Sequence, residues 1–237
     1  MNDRNPLIVL ALICATVASF LWGGYHALMP LLFLSGLSLV SVICLWSSSY
    51  IDTRSLATLA IVSMALAAVD EYAHTSSGAF SYFDGMTPSP LAVFGWSLFV
   101  LGILATAQYL HQRMPLEHLD TRASRILLAL TPVTLLIVSA WVQGYLPFFD
   151  PLLISVYLLL TSASLYYSYH HRFGWCMWVV ISSMIFGTIM EYLGGVEGLW
   201  VYPFDEPMAF FIVFTWALRV LTVLAVSSLL GVEVRGE

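Results

Sequence analysis

Two glutamates stand 120 residues apart, Glu71 and Glu191, and each lies near the end of an apolar stretch. Each begins the same pattern, E-Y-x5-G-x-[FW]-x-Y, which is followed further on by F-x-W. A carboxyl group inside a membrane is costly unless it faces the interior of a helix bundle and finds a partner there. Two carboxyl groups held in different surroundings can serve as an acid and a base. We therefore take the two glutamates as the first candidates for catalysis.

The arginine Arg219 is the third candidate, because it is the only arginine that we expect to be buried within a predicted span. Phe99 occupies the matching position in the first half, so Arg219 is not part of the repeated pattern. A buried guanidinium needs a counter-ion, and the candidates are Glu191 and Asp70. If Glu191 is the partner, it stays ionised and Glu71 is expected to keep its proton. The alternative is a structural ion pair beside a buried hydrogen-bonding carboxyl group, without catalysis.

Aromatic residues follow both glutamates at matching distances. The connections 76–89 and 195–206 are too aromatic for solvated loops, and we expect extended segments that close over the helix ends. An aromatic belt at the membrane surface is the simpler alternative. The predicted substrate-binding residues are Tyr72, Tyr82, Trp96, Tyr192, Trp200, Tyr202 and Trp216.

A metal or a covalently bound cofactor finds little support in the residue pattern. Glu71 and His74 form an E-x-x-H pair of the kind used in helical di-iron sites, with His26 as a conceivable further ligand. Gly194 replaces the histidine in the second half, and we predict neither a metal nor a cofactor. The chain contains no lysine, which excludes a Schiff base to retinal.

The elements that position these residues are membrane helices. Sixty per cent of the residues are hydrophobic and only 9% are charged, which is typical of a polytopic membrane protein. Shifting the first four apolar spans by 120 residues superposes them on the last four. We predict an all-α protein of two parallel four-helix repeats, 1–117 and 124–237, joined by a linker at 118–123. The eight spans are expected near 7–23, 27–47, 55–75, 90–111, 124–144, 151–170, 174–194 and 207–230.

The arginines predict how the chain is oriented. Seven of the eight fall on one side of the predicted spans, so the positive-inside rule places both termini in the cytoplasm. We expect an integral protein of the plasma or inner membrane, surrounded by membrane lipids. The net charge of −6, without a basic patch, argues against a nucleic-acid partner. The oligomeric state stays open.

The second copy of the motif resembles a known signature. The run from Met190 to Trp216 contains Glu191, Gly194, Gly198, Tyr202 and Pro207, and it resembles the integral-membrane carotenoid-biosynthesis family, which includes carotenoid hydratases. The resemblance implies acid-catalysed chemistry on an isoprenoid C=C bond, with Glu191 in the site and Tyr202 and Trp216 lining it. Membrane-integral terpenoid cyclases are a second, more distant likeness.

We therefore expect a membrane enzyme that hydrates or cyclises an isoprenoid or carotenoid, using an apolar isoprenoid-like lipid as substrate. Protonating an alkene needs a desolvated acid, and the cation formed needs aromatic faces or a carboxylate nearby. Two alternatives stay open. A proton-coupled transporter of small solutes suits parallel repeats and membrane carboxylates, and an accessory membrane subunit would use the same groups to hold helices together.

Overall fold

The computed structural model describes residues 52–204, 206–232 and 234. The first two predicted spans, near 7–23 and 27–47, lie outside the described residues. So does His26, the conceivable second metal ligand. The described residues therefore cover the predicted spans from the third onward.

Six long helices make up the described chain, joined by two short 3-10 turns at Glu117–Leu119 and Leu146–Phe148. All six helices are long and apolar enough to cross a membrane. The predicted helical class is confirmed, and each helix end lies within about three residues of the predicted one. The helices are α1 (Thr53–Ser76), α2 (Pro90–Arg113), α3 (Arg122–Val142), α4 (Pro151–His170), α5 (Phe173–Val196) and α6 (Phe210–Leu229).

Polar side chains mark where several helices begin. The carboxylate of Asp52 accepts a hydrogen bond of 2.9 Å from the backbone N–H of Ser55, which caps α1. Asp150 accepts one of 2.7 Å from the N–H of Leu153 and caps α4. Such caps satisfy N–H groups that have no partner within the helix. The starts of these helices are therefore determined by the local sequence, independently of packing.

Helix α6 is the centre of the described bundle. It packs against α1, α3, α4 and α5, and 83% of its most apolar window is buried, compared with 28% for α3. Helix α3 instead exposes large apolar side chains, including Leu127, Ile137 and Trp141, as expected for a surface that faces lipid. A polar residue on α6 must consequently find its partner within the protein.

The two aromatic connections are extended and lie against each other. Strand β1 (Ser81–Tyr82) pairs antiparallel with strand β2 (Trp200–Val201), so that Tyr82 lies opposite Trp200. Each strand is reached through a glycine with positive φ, Gly78 at 79° and Gly198 at 70°. That backbone conformation is strained for other residues, and it ends α1 and α5 in the same way. The pairing brings the ends of α1 and α5 to one side of the bundle.

Candidate functional site

The carboxyl group of Glu71 lies in the last two turns of α1 and is only 3% exposed. Two side chains from neighbouring elements donate hydrogen bonds to it. The hydroxyl of Tyr82, on β1, donates to Oε2 at 2.6 Å. The indole N–H of Trp96, on α2, donates to Oε1 at 2.8 Å. Each carboxyl oxygen thus has one donor, which offsets the loss of water on burial.

Glu191, on α5, has the same two partners at the same spacing in sequence. It is 6% exposed. The hydroxyl of Tyr202 donates to its Oε2 at 2.5 Å, and the indole N–H of Trp216 donates to its Oε1 at 2.8 Å. The repeated sequence pattern therefore encodes a repeated hydrogen-bonding arrangement, in which the tyrosine and the tryptophan serve the glutamate directly.

The two tyrosines act as hydrogen-bond donors. Burial, together with the carboxyl group of Glu71, raises the pKa of Tyr82 well above its usual value. Burial and Glu191 raise the pKa of Tyr202 in the same direction. Both hydroxyls consequently keep their protons at any pH near neutrality and remain donors to the glutamates.

The partner of Arg219 is Asp70, with 2.5 Å between Nη2 and Oδ2. The alternative pairing with Glu191 is therefore wrong, because both oxygens of Glu191 are already occupied by Tyr202 and Trp216. From the sequence, we expect Glu191 to be ionised if it pairs with Arg219, and Glu71 then to be protonated because it lacks a cation. Without that pairing, this expectation loses its basis. Both members of the ion pair are almost wholly buried, at 2% and 1% exposure.

The guanidinium of Arg219 also lies against two indole rings that contact each other. Its central carbon lies 4.5 Å from the centroid of the Trp96 ring and 4.9 Å from that of Trp216. A cation over an aromatic face is attracted by the negative face of the ring. Arg219 therefore contacts both of the tryptophans that donate to the two glutamates, and it links the two halves of the site.

Asp70 continues into a second set of buried polar contacts. Nδ1 of His74 lies 2.8 Å from the backbone oxygen of Asp70 and 3.3 Å from its Oδ2. Nε2 of His74 lies 2.7 Å from the hydroxyl of Tyr157, on α4. We name these four residues, Arg219, Asp70, His74 and Tyr157, the polar network. It joins α1, α4 and α6 across the bundle.

The polar network also bears on the E-x-x-H pattern. Both ring nitrogens of His74 are engaged with Asp70 and Tyr157, whereas the oxygens of Glu71 face Tyr82 and Trp96. Within the described ranges, no group of three or more His, Cys, Asp or Glu side chains is placed to hold a metal ion. The pattern is explained here by hydrogen bonding.

No member of the polar network belongs to the repeated pattern. The residues found 120 positions away offer no charged or hydrogen-bonding side chain. The counterparts of Asp70, His74, Tyr157 and Arg219 are Met190, Gly194, Leu37 and Phe99, respectively. The polar network is therefore what makes the two halves of the site chemically different.

A cavity opens between the two glutamates. It encloses about 520 Å³ of space free of protein atoms, including its open mouth. Seven of the predicted site residues border it: Glu71, Tyr82, Trp96, Glu191, Trp200, Trp216 and Arg219. Most of the remaining lining is apolar, with Phe80, Leu91, Met190, Leu199 and Ile212.

Four predicted site residues do not border the cavity. Asp70 and Tyr202 are buried just behind it and act on the residues that do. Tyr72 and Tyr192 are each 49% exposed on the outer faces of α1 and α5. Each directly follows a glutamate, and successive residues of a helix point about 100° apart. Their proximity in sequence to the glutamates therefore does not place them in the cavity.

Two glycines that shape the site give only a weak signal in the sequence. A Cβ on Gly194 would lie 2.0 Å from Cζ2 of Trp200, and one on Gly187 would lie 2.7 Å from Cδ1 of Trp216. Both glycines therefore provide the space into which a cavity-lining tryptophan packs. The role of Gly194 could have been predicted, because it stands where the first half has His74. Tyr157 lies 83 residues from His74 and had no recognisable signal.

In comparisons with protein-family models, with curated proteins and with solved structures, nothing matches this chain.

Proposed function

We propose that this protein is an integral-membrane enzyme that performs acid–base chemistry, hydration or cyclisation, on a C=C bond of an isoprenoid or carotenoid lipid. One observation carries the proposal. Two buried glutamates, each held by one tyrosine and one tryptophan, open onto a single cavity with an aromatic and apolar lining. A pair of carboxyl groups facing one apolar space is the minimal equipment for moving a proton onto carbon and another off it.

The proposed reaction needs two proton transfers. One glutamate, as the carboxylic acid, gives its proton to one alkene carbon, and the adjacent carbon becomes a carbocation. In hydration, the oxygen of a water molecule bonds to that carbon while the other glutamate, as the carboxylate, takes a proton from the water. In cyclisation, a second C=C bond of the same lipid attacks the cation, and the carboxylate removes a proton from the carbon next to the new cationic centre. The glutamates then exchange a proton to regenerate the starting state.

Aromatic faces are available to stabilise the cation. Trp96 and Trp216 each have Arg219 against one face, so a positive charge there would be repelled. Tyr82 and Trp200 also border the cavity, with ring centroids 6.2 Å apart in an edge-on arrangement. We assign stabilisation of the cation to these two, because aromatic faces attract cations.

The size of the cavity bears on how the lipid binds. The space is too narrow for a whole polyene, and its lining includes Leu91 and Ala92 in the first turn of α2. We propose that one end of the isoprenoid enters from the bilayer while the rest of its chain remains in lipid. The paired strands β1 and β2 would then cover the reacting end and exclude bulk water.

We also propose the architecture in which the site is set. Helices α1 and α5 both comprise 24 residues and begin at Thr53 and Phe173, which are 120 positions apart. Helices α2 and α6 begin at Pro90 and Phe210, at the same offset. These bounds support two parallel four-helix repeats with a site at their interface. The distribution of the arginines supports placing both termini in the cytoplasm, in a plasma or inner membrane.

The test is a lipid analysis by mass spectrometry. Lipids would be extracted from cells expressing the wild type, Glu71→Gln or Glu191→Gln. We expect a polyene or terpenoid that changes, by the mass of water or by isomerisation, only with the wild type. Glu117→Gln is the matched control, since Glu117 is half exposed just before the linker and far along the chain from both glutamates. A lipid profile that is the same for all four folded proteins would contradict the proposal.

A proton-coupled transporter is the second candidate, and the polar network favours it. Arg219, Asp70, His74 and Tyr157 link three helices through buried hydrogen bonds, and such networks carry protons in pumps and transporters. The purified protein in proteoliposomes would distinguish the two. Transport predicts proton movement that is driven by a solute gradient and abolished by Glu71→Gln, whereas the enzyme predicts none.

A further inference from the structure

We propose that the lipid bound in the cavity carries a neutral oxygen at its reacting end, a hydroxyl, ether, epoxide or carbonyl group, and that Arg219 donates a hydrogen bond to this oxygen. The inference rests on the proposed function and narrows its substrate to oxygen-bearing isoprenoids. It assigns to Arg219 a role in recognising substrate, beyond its ion pair with Asp70.

The observation that carries it is an unused donor. Arg219 borders the cavity and is only 1% exposed. Its Nη2 donates to Asp70, but its Nε has no hydrogen-bond acceptor within the part of the chain that the structure describes. Buried donors of charged groups are nearly always satisfied, because leaving one unpaired is costly. A ligand oxygen in the cavity would satisfy this one.

The guanidinium is held in place for such a contact. The rings of Trp96 and Trp216 both lie against it, at 4.5 and 4.9 Å, and Asp70 holds one of its ends. The indole N–H groups of the same tryptophans are committed to Glu71 and Glu191. Arg219 is therefore a rigid donor beside two donors that are already occupied, and rigidity lowers the entropy lost on binding.

The charges around the cavity favour a neutral oxygen over an anionic one. The charge of Arg219 is offset by Asp70, which contacts it directly. Two further acidic groups, Glu71 and Glu191, border the same space. A phosphate or carboxylate would meet these glutamates without a free cation to compensate, and like charges at short range are repelled. An ether or hydroxyl oxygen accepts from the guanidinium without that repulsion.

The experiment measures the binding of matched probes to the purified wild type in lipid nanodiscs. Quenching of tryptophan fluorescence reports on the cavity, because Trp96, Trp200 and Trp216 line it. The probes share one fifteen-carbon isoprenoid chain: farnesol, farnesyl methyl ether, farnesene and farnesyl phosphate. We expect the alcohol and the ether to bind at least about tenfold more tightly than the hydrocarbon, as one hydrogen bond to a charged donor implies. The ether matters because it accepts a hydrogen bond and cannot donate one.

A double variant supplies the matched control. Asp70→Met with Arg219→Phe installs the residues found 120 positions away, so no charge is left unpaired. We expect this variant to bind the hydrocarbon, the ether and the alcohol with equal affinity. Arg219→Lys is the second variant if the double one fails to fold, because it keeps the ion pair with Asp70 but removes Nε. It is expected to lose the preference for the ether.

The possible failures are distinguishable. Equal binding of farnesene and farnesyl methyl ether to the wild type would overturn the inference and leave the acid–base proposal intact. Tighter binding of farnesyl phosphate would also overturn it, and would make Arg219 an anion site. If no probe quenches the fluorescence, the inference falls. Glutamate-dependent lipid products, measured separately, decide whether the proposed function falls with it.

Discussion

The surroundings of Glu71 and of Glu191 agree in one respect and differ in another. Each carboxyl group receives a tyrosine hydroxyl at 2.6 or 2.5 Å and an indole N–H at 2.8 Å. Beside Glu71, however, α1 also carries Asp70 and His74, whereas α5 carries Met190 and Gly194 in the same positions. The hydrogen bonds of the two glutamates were thus kept alike while the charges near them diverged. Such divergence is what an acid and a base in one cavity require.

The two halves of the site differ in packing as well as in charge. In the first half, the ring of His74 lies 5.8 Å from that of Phe80. In the second half, Gly194 leaves the space and the larger Trp200 fills it, with ring atoms where a Cβ would stand. The first half therefore places Phe80 beside an imidazole, and the second half places the larger Trp200 against a glycine.

The largest effect on stability is expected from breaking the ion pair between Arg219 and Asp70, which has no counterpart in the repeated pattern. Arg219→Phe alone leaves Asp70 buried without its cation and should lower the free energy of unfolding by about 3–5 kcal/mol. Adding Asp70→Met should recover most of this loss, because two apolar residues replace the pair. Thermal unfolding in detergent measures both. If the double variant is no more stable than the single one, the two residues are not an isolated pair.

Removing the tyrosine hydroxyl that binds the glutamate should lower the stability of the protein by the same amount in either half. Tyr82→Phe and Tyr202→Phe each delete the donor to one glutamate oxygen, and we expect about 1.5–3 kcal/mol of lost stability for each. The same unfolding measurement applies, with Tyr72→Phe as the control, since Tyr72 is half exposed and outside the cavity. A large cost for one tyrosine and none for the other would contradict the equivalence of the two hydrogen-bonding arrangements.

The difference in packing between the two halves can be tested at Gly194. Gly194→Ala places a Cβ about 2.0 Å from the ring of Trp200 and should destabilise the protein by roughly 1–3 kcal/mol through overpacking. Adding Trp200→Phe, the residue type of the first half, should relieve most of this cost. Val196→Ala, at a helix position that is 55% exposed, is the control. A rescue that fails would show that the two positions are not coupled.

The smallest effect is expected outside both halves, in the linker. Arg125 donates two hydrogen bonds to Asp120 and holds the pKa of that carboxyl below its usual range. A lowered pKa stabilises the fold above the unfolded value of about 4, and the gain is lost as the pH falls through the folded value. Asp120→Asn should cost less than about 1 kcal/mol at pH 7. Its difference from the wild type should shrink and vanish as the pH falls through the folded pKa of Asp120, and a difference that persists in acid would contradict this origin.

Much of the architecture could be predicted because its causes are local. Runs of about twenty apolar residues mark the six described helices, and the repeated spacing of glutamate, tyrosine and tryptophan indicated both hydrogen-bonding arrangements. The partner of Arg219 could not be predicted, because Asp70 and Glu191 lie on different helices and packing decides between them. Tyr157 joins the site only through the contact of α4 with α1. Tyr72 and Tyr192 misled because neighbours in sequence point away from each other on a helix.

The most direct test of the central claim is deuterium incorporation. The purified protein would be incubated in heavy water with an oxygen-bearing isoprenoid such as farnesyl methyl ether, and the recovered lipid analysed by mass spectrometry and NMR. A proton placed on carbon by a glutamate that exchanges with solvent becomes a deuteron, so we predict one carbon–deuterium bond per turnover with the wild type. Neither Glu71→Gln nor Glu191→Gln should produce it. Recovered lipid without deuterium, from a wild type that demonstrably binds it, would contradict the acid–base account.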